Sequence, residues 1–393
     1  MFQKRDLTQG PVTKSMLLFA LPMILGNLLQ QFYNVADTLI VGQFLGATAL
    51  AAVGSSYTLM TFLTSILLGM CMGSGAVFSI RFGEGDLPRL KNSLSLSFLL
   101  IGGFTVALNV AVFLLIDPMM ALLQVPADVI PLMRSYLWVI FWGIGGTFLY
   151  NYFASLLRAV GNSATPLVFL GVSAVLNIVL DLVFVVVVPW GVAGAAFATS
   201  FSQWVSGVGL LVYTWKRMAH LRPSRQDVYW KRDRVGEIAR FSLLTCVQQS
   251  VMNFGILMVQ GLVNSFGTVV MAAFAAAVKI DSFAYMPVQD FGNAFSTFIA
   301  QNYGARDMGR IRRGIRSAVL AAAVFSGAVS VLVCVFAEPL LLLFVKPEER
   351  EILAWGCSTC ALRAPSTWAL AFCFCSTACT GPSSGRGCPW CSR

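Results

Sequence analysis

Apolar segments of membrane-spanning length recur along this chain of 393 residues. A helix needs about 20 such residues to cross a bilayer, and nine segments meet that length. Charged residues make up only 11% of the chain, roughly half the share in a soluble domain. The sequence therefore predicts an all-α membrane protein with many spanning helices (a polytopic protein). We place the segments at 15–44, 50–79, 93–116, 132–157, 163–188, 190–215, 236–264, 269–300 and 315–337.

The basic residues are distributed unevenly between the connecting loops. Twenty lysines and arginines lie at the N-terminus and in the loops on its side, against Arg134, Lys346 and Arg350 on the other. Because basic loops stay inside, we predict a cytoplasmic N-terminus and a multi-pass protein of the plasma (inner) membrane. The same bias explains the formal charge of +10, so we expect the lipid bilayer and not nucleic acid as the partner. The first segment is expected to remain as a signal anchor.

An internal repeat relates the two halves without a gap at an offset of 221 residues. The sequence FLGATALAAVG at 44–54 falls on SFGTVVMAAFA at 265–275, and RFGEGDLPR at 81–89 falls on NYGARDMGR at 302–310. An even number of helices per unit gives a parallel repeat of two pseudo-symmetric six-helix lobes. The predicted division is an N-terminal lobe at 1–215, a cytoplasmic linker at 216–240, a partial C-terminal lobe at 241–351 and a Cys-rich tail at 352–393.

Two polar stripes interrupt the apolar segments of the N-terminal half. In the first segment the stripe ends at Asp37, and in the fifth it ends at Asp181. An acid in hydrocarbon is rare unless it faces a cavity or a partner, so the stripes predict either a path for an ion or substrate or a buried polar seam. Two acids with amide neighbours would suit a proton relay or a hard cation. The stripes contain Asn27, Gln30, Asn34 and Asp37, and Ser173, Asn177 and Asp181.

The second half carries a different set of polar residues. Met258 stands where the repeat would place an acid equivalent to Asp37. Its candidates for a binding site lie instead in the eighth segment, among soft and aromatic side chains that suit flat organic cations or ordinary packing. These candidates are Lys279, Asp281 and Asp290.

The motifs together resemble one known family. The stretch LPMILGNLLQQFYNVADTLIVGQFLGATALAAVG, the loop GEGDLPR and the segments RAVGNSATP and AQNYGARD are similar to those of multidrug and toxic compound extrusion (MATE) transporters, over roughly residues 5–350. The resemblance implies two six-helix lobes that expel organic cations in exchange for protons or sodium, with no other cofactor. It places coupling at Asp37, Asn177 and Asp181. Cavity-lining roles fall to Gln30, Asn34, Tyr136, Asn151 and Thr199.

Other functions fit the sequence less well. A related flippase for lipid-linked precursors remains the alternative, although such proteins carry more cationic residues in the cavity. An intramembrane protease is disfavoured because no G-x-G-D motif accompanies the acids, and His220 is the only histidine, so we predict no enzyme, no catalytic residue and no metal site. We expect a monomer that exports small organic cations.

The tail departs from the pattern of the rest of the chain after about Glu351. Its cysteines include Cys357-x2-Cys360 and Cys388-x2-Cys391, whose spacing also occurs in zinc sites. We instead expect a frameshift or sequencing error near codon 350, which would truncate the second lobe. Reading the downstream DNA in the other frames should then restore three apolar helices.

Overall fold

The computed structural model describes residues 6–122, 129–224, 227–264 and 268–336, with Pro339 and Trp355. Apart from Trp355, the Cys-rich tail lies outside these residues, and so does its predicted frameshift. Within them the secondary structure is helical, as predicted, with no strand. The α-helices are α1 (Val12–Leu45), α2 (Ala47–Gly83), α3 (Leu87–Leu122), α4 (Ile130–Ile140), α5 (Ile144–Ala159), α6 (Ala164–Asp181), α7 (Val192–Arg217), α8 (Arg232–Asn264), α9 (Thr268–Gly304) and α10 (Met308–Val335).

Seven segments in the described part of the chain are long and apolar enough to cross a membrane, which agrees with the predicted class. They are α1, α2, α3, the pair α4 and α5, α6 together with residues 182–187, α7 and α10. The long helices α8 and α9 have 33 and 37 residues. Most predicted ends agree within a few residues, but α10 begins seven residues before its predicted start at 315.

The fourth predicted segment, 132–157, is not one continuous α-helix. A 3-10 turn at Phe141–Gly143 separates α4 from α5. Side chains from other helices satisfy carbonyls at this break: Asn109 Nδ2 donates to Phe141 O at 2.7 Å, and Trp204 Nε1 donates to Trp142 O at 2.8 Å. Because backbone groups in a membrane need protein partners, these non-local bonds make the break possible.

The fifth predicted segment, 163–188, also changes its helical form. α6 ends at Asp181, and Leu182–Val187 continue as a π-helix, with Val188 N donating to Val183 O at 2.7 Å. π-turns are rare and frequently occur at functional sites. The change of winding therefore begins at the acid that the sequence singles out.

Contacts divide the chain into two compact units. The first contains Leu25–Ser250, and the second contains Arg5–Ile24 and Val251–Arg393 so far as these are described. The hydrophobic clusters of the first unit include one around Leu67 and Phe141 and one around Tyr152 and Leu157. The second has a cluster around Phe19 and Phe298. The predicted lobe boundaries remain predictions.

A short segment precedes each repeat, residues 6–10 before the first and 227–231 before the second. Each segment is hydrogen-bonded by a side chain that belongs to the other repeat. In the second unit, Arg310 in the first turn of α10 donates to the carbonyls of Leu7 and Gly10, at 3.0 and 2.7 Å. In the first unit, Asn92 Nδ2 donates to the carbonyls of Asp227 and Tyr229, at 2.8 and 2.9 Å. Positions 6–10 and 227–231 are equivalent at the offset of 221, so the exchange of partners is reciprocal.

α5 and α7 approach closely through glycines. A Cβ at Gly207 would lie 2.6 Å from Gly146 O, whereas a Cβ at Gly103 on α3 would meet nothing within 4 Å. We expect Gly207→Ala to lower the free energy of unfolding by about 1–3 kcal/mol, because the backbones must separate. Gly103→Ala should be neutral or stabilising by up to about 1 kcal/mol. Thermal unfolding in detergent measures both, and equal shifts would contradict the close contact.

Candidate functional site

The polar stripe of α6 is buried against α7. Ser173, Asn177 and Asp181 expose 8%, 2% and 0% of their surface. Ser173 Oγ donates to Ser202 O at 2.8 Å, and Asn177 Nδ2 donates to Thr199 Oγ1 at 3.2 Å. The family resemblance implies a shared location for Thr199 and Asn177, and the structure joins them directly.

The stripe of α1 approaches the same face of α6. A Cβ at Gly26 would lie 3.6 Å from Leu170 Cδ2, which places the two helices in van der Waals contact. Further along both helices, the carboxyl groups of Asp37 and Asp181 face each other within reach of a direct side-chain interaction. The two acids predicted from separate segments therefore form one pair within the first unit.

The acid pair lacks hydrogen-bond donors. Among the described residues, no donor satisfies Asp37 Oδ1, either carboxylate oxygen of Asp181 or Asn177 Oδ1. Buried polar atoms without partners are rare in native proteins, and two facing carboxylates repel each other. A shared proton, or a small cation with oxygen ligands, would remove both penalties. The four oxygens are thus suited to bind either one.

Tyrosines surround the acid pair. Tyr136, which is 6% exposed, interacts electrostatically with Asp37, Asp181 and Tyr33. Tyr33 in turn hydrogen-bonds the side chain of Gln30. Tyr33 was missed at the level of the sequence, although it precedes Asp37 by four residues and so lies on the same helical face. Gln30 and Tyr136 are accordingly linked to the acids, one through Tyr33 and one directly.

The remaining cavity candidates have contacts within their own helices. Asn151 is half-buried, and its Nδ2 donates to Thr147 O at 2.9 Å one turn earlier on α5. Asn34 is half-buried on α1, and its backbone carbonyl accepts a hydrogen bond from Thr38 Oγ1 at 2.8 Å. Their role in lining a cavity stays a prediction.

The candidates in the second half of the chain all lie on α9. Asp290 is 3% exposed and belongs to the second unit. Lys279 and Asp281 lie in the same helix, but their side chains are outside the described set. No cluster of three His, Cys, Asp or Glu side chains exists among the residues that the structure describes.

One known protein family matches most of this chain. The family model described as MatE matches residues 22–183 and 244–380, about three quarters of the chain. The chain belongs to the MATE family. The first matched range contains Asp37, Asn177 and Asp181. The second extends to residue 380, past Glu351, where the resemblance was expected to end from the sequence alone.

Individual relatives agree with this family membership. The chain is 32% identical to the probable multidrug resistance protein YpnP of Bacillus subtilis, over 89% of this chain and 78% of that protein. It is 29% identical to the probable multidrug resistance protein YoeA of the same organism, over 87% and 76%. A crystal structure of a MATE protein in complex with MaL6 superposes with a TM-score of 0.89 at 22% identity, over 96% of this chain and 84% of the other, and establishes the fold.

These similarities make this MATE protein a multi-pass membrane protein with the fold of a transporter. The relatives are named for multidrug resistance, which agrees with the prediction of a transporter and not an enzyme. Asp37 and Asp181, which form the acid pair, and Asn177 are the predicted coupling residues, and all three lie in the first repeat.

Proposed function

We propose that the protein exports small organic cations in exchange for protons or sodium by alternating access. The observation that carries this proposal is the facing pair of Asp37 and Asp181, whose buried carboxylate oxygens have no donor among the described residues. Burying two charged carboxylates without a bound cation costs free energy, and that cost falls when a cation binds. A binding site of that kind can couple an ion gradient to a conformational equilibrium.

The coupling step follows from the position of the pair between α1 and α6. Ion binding neutralises the carboxyl groups and lets the two helices approach, whereas ion release favours a state in which they separate or gain other partners. The equilibrium shifts only by the difference in ion affinity between the two states. Pro22 within α1 removes a backbone hydrogen bond and provides a place for that helix to bend.

The substrate class rests on the chemistry around the acids. Tyr33 and Tyr136 lie close to the acids, and aromatic side chains beside negative charge suit flat cations through cation–π and ionic interactions. The names of YpnP and YoeA, probable multidrug resistance proteins, support an export role for such compounds.

Ethidium transport tests this function. The purified chain is reconstituted into proteoliposomes, and ethidium movement is followed by fluorescence under a proton gradient alone or a sodium gradient alone. We expect accelerated ethidium movement against its gradient with one of the two ions, and that ion is the coupling ion. Transport driven by neither gradient, together with ethidium binding that releases no proton or sodium, would contradict the proposal.

The proposed orientation places the N-terminus and the linker in the cytoplasm. We expect Ser224→Cys, in the linker, to resist a membrane-impermeant maleimide added to intact cells. Arg134→Cys, at the start of α4, should react because Arg134 lies at the opposite end of the lobe and is 55% exposed in its ion pair with Asp117. Labelling of the unmodified chain provides the background. Ready labelling at position 224 would contradict the orientation and the parallel repeat.

A further inference from the structure

A cavity lies in the first unit, and its walls include neither residue of the acid pair. It has a volume of about 770 Å³ and forms where the start of α3, the end of α5, the end of α7 and the following linker meet. Its walls are mainly apolar and include Phe98, Leu99, Phe153, Val212 and Trp215. This volume lies within the range of about 300–1,000 Å³ that is usual for small-molecule sites.

The cavity is bordered by exposed apolar side chains of two membrane-length helices, so we expect it to open toward the bilayer. Leu99 on α3 and Val212 on α7 are 50% and 40% exposed, and both belong to helices that are apolar enough to span a bilayer. Exposed apolar side chains on such helices contact acyl chains. Tyr152 and Leu156 close the inner end, each with 2% exposure. An acyl chain can therefore enter from the bilayer without crossing water.

The polar end of the cavity is basic. Lys216 and Arg222 line it where α7 ends. Arg222 is held in place because its Nε donates to Trp215 O at 2.6 Å and its guanidinium lies 5.4 Å from the centroid of the Trp215 ring. This arrangement fixes a positive charge beside an aromatic side chain at the level expected for lipid head groups.

The nearest acid in the linker is already engaged. Ser224 N and Ser224 Oγ donate to Asp227 Oδ2 at 2.7 and 2.9 Å. The backbone hydrogen bond from Ser224 is the main cause that holds the pKa of Asp227 below its usual value. Its charge is thus stabilised within the linker turn, and Lys216 and Arg222 remain the charged side chains that line the cavity.

We propose that this cavity binds an anionic phospholipid of the cytoplasmic leaflet. One acyl chain lies between α3, α5 and α7, and the phosphate interacts with Lys216 and Arg222. Basic pockets between spanning helices on the cytoplasmic side favour anionic head groups. The position fits, because this end of the unit carries the basic linker that the charge bias places inside.

The bound lipid would stabilise the linker as well as the helices. Leu221, Pro223 and Val228 of the linker form part of the cavity wall. The same linker is held to α3 by Asn92 Nδ2, which donates to the carbonyls of Asp227 and Tyr229. A lipid in the cavity adds an apolar contact to these two hydrogen bonds and connects the linker to the end of α7.

Native mass spectrometry of the full chain in detergent tests the lipid preference of the cavity. The measurement requires neither transport nor a known orientation in the membrane. The delipidated protein is titrated with phosphatidylglycerol or phosphatidylcholine of the same chain length. We expect tighter binding of phosphatidylglycerol. Lys216→Gln and Arg222→Gln should each weaken it about fivefold, the effect of about 1 kcal/mol per basic residue. Arg312→Gln, an exposed basic residue on α10, is the matched control and should leave binding unchanged.

A second pair of variants tests the acyl-chain site. Leu99→Trp should fill the cavity and reduce the binding of both lipids. Leu114 lies on the same helix but outside the cavity and is 76% exposed, so Leu114→Trp should leave lipid binding unchanged. Thermal unfolding without lipid verifies that all variants fold. Equal binding of the two lipids by the unmodified protein would overturn the proposed preference. Equal effects of Leu99→Trp and Leu114→Trp would overturn the site.

Discussion

Asp37→Asn should reduce gradient-driven efflux by about 100-fold, the upper range of coupling free energies between two sites. An amide cannot bind and release a proton, and it is a weaker cation ligand than a carboxylate. Asp181→Asn should cause the same loss. The double variant should be no worse than either single one, because residues that act as a unit have non-additive effects. Ethidium efflux from proteoliposomes measures the rate.

The same substitutions should raise thermal stability while they lower transport. In Asp37→Asn, the new side-chain amide at position 37 would become a donor close to the oxygens of Asp181, which have none among the described residues. Removing one of two facing buried charges also removes repulsion and desolvation cost. Opposite changes in stability and transport are a signature that a general folding defect would not produce.

Asp117→Asn is the matched control for this experiment. Asp117 is 61% exposed in its ion pair with Arg134 at the end of α3, so its loss should change neither efflux nor stability by much. Normal efflux by Asp37→Asn would mean that the stripe is a packing seam between α1 and α6. Coupling would then have to be sought at Asp290 on α9.

Arg310→Ala should lower the free energy of unfolding by about 3–5 kcal/mol, the cost of breaking a buried charged network. Arg310 is 8% exposed. Its guanidinium donates to Asn302 Oδ1 at 3.1 Å, to Gly10 O at 2.7 Å, and to the carbonyls of Leu7 and Gln9 at 3.0 and 3.1 Å. Its loss leaves carbonyls of the N-terminal segment without this donor.

Arg89 provides a control from the same chain, because the repeat places it at the position equivalent to Arg310. It is 52% exposed and forms an ion pair with Asp86 at 3.0 Å. Arg89→Ala should therefore cost no more than about 1 kcal/mol. Thermal unfolding in detergent measures both variants, and proteolysis of the N-terminal segment should increase only for Arg310→Ala. Equal shifts in the two melting temperatures would contradict the buried network.

The sequence was sufficient for features that repeat locally. Membrane-length apolar segments predicted the helical class, since the bilayer requires each spanning segment to satisfy its own backbone. The period of 3.6 residues placed Ser173, Asn177 and Asp181 on one face, and the structure buries that face. The same period placed Asp37 on the polar stripe of α1. A carboxylate in an apolar segment is conspicuous, so this residue could be singled out from the sequence.

The sequence could not specify features that depend on distant partners. The break at Phe141–Gly143 requires Asn109 and Trp204 from other helices as donors, and neither is visible from the apolar pattern of 132–157. The π-helix after Asp181 is similarly hidden, because its residues are as apolar as those of an α-helix. Tyr33 remained one aromatic residue among many until its neighbours were known.

The sequence by itself determined the helical membrane class, the repeat at an offset of 221 residues and the two polar stripes that end at Asp37 and Asp181. Each of these features arises from periodicity and charge along the chain. Only the tertiary structure decided that Asp37 and Asp181 face each other without donors among the described residues. It also decided that equivalent arginines have different environments, with Arg310 buried against Leu7 and Arg89 exposed. The physical reason is that hydrogen-bond satisfaction and burial depend on which segments fold together, and residues hundreds of positions apart supply them.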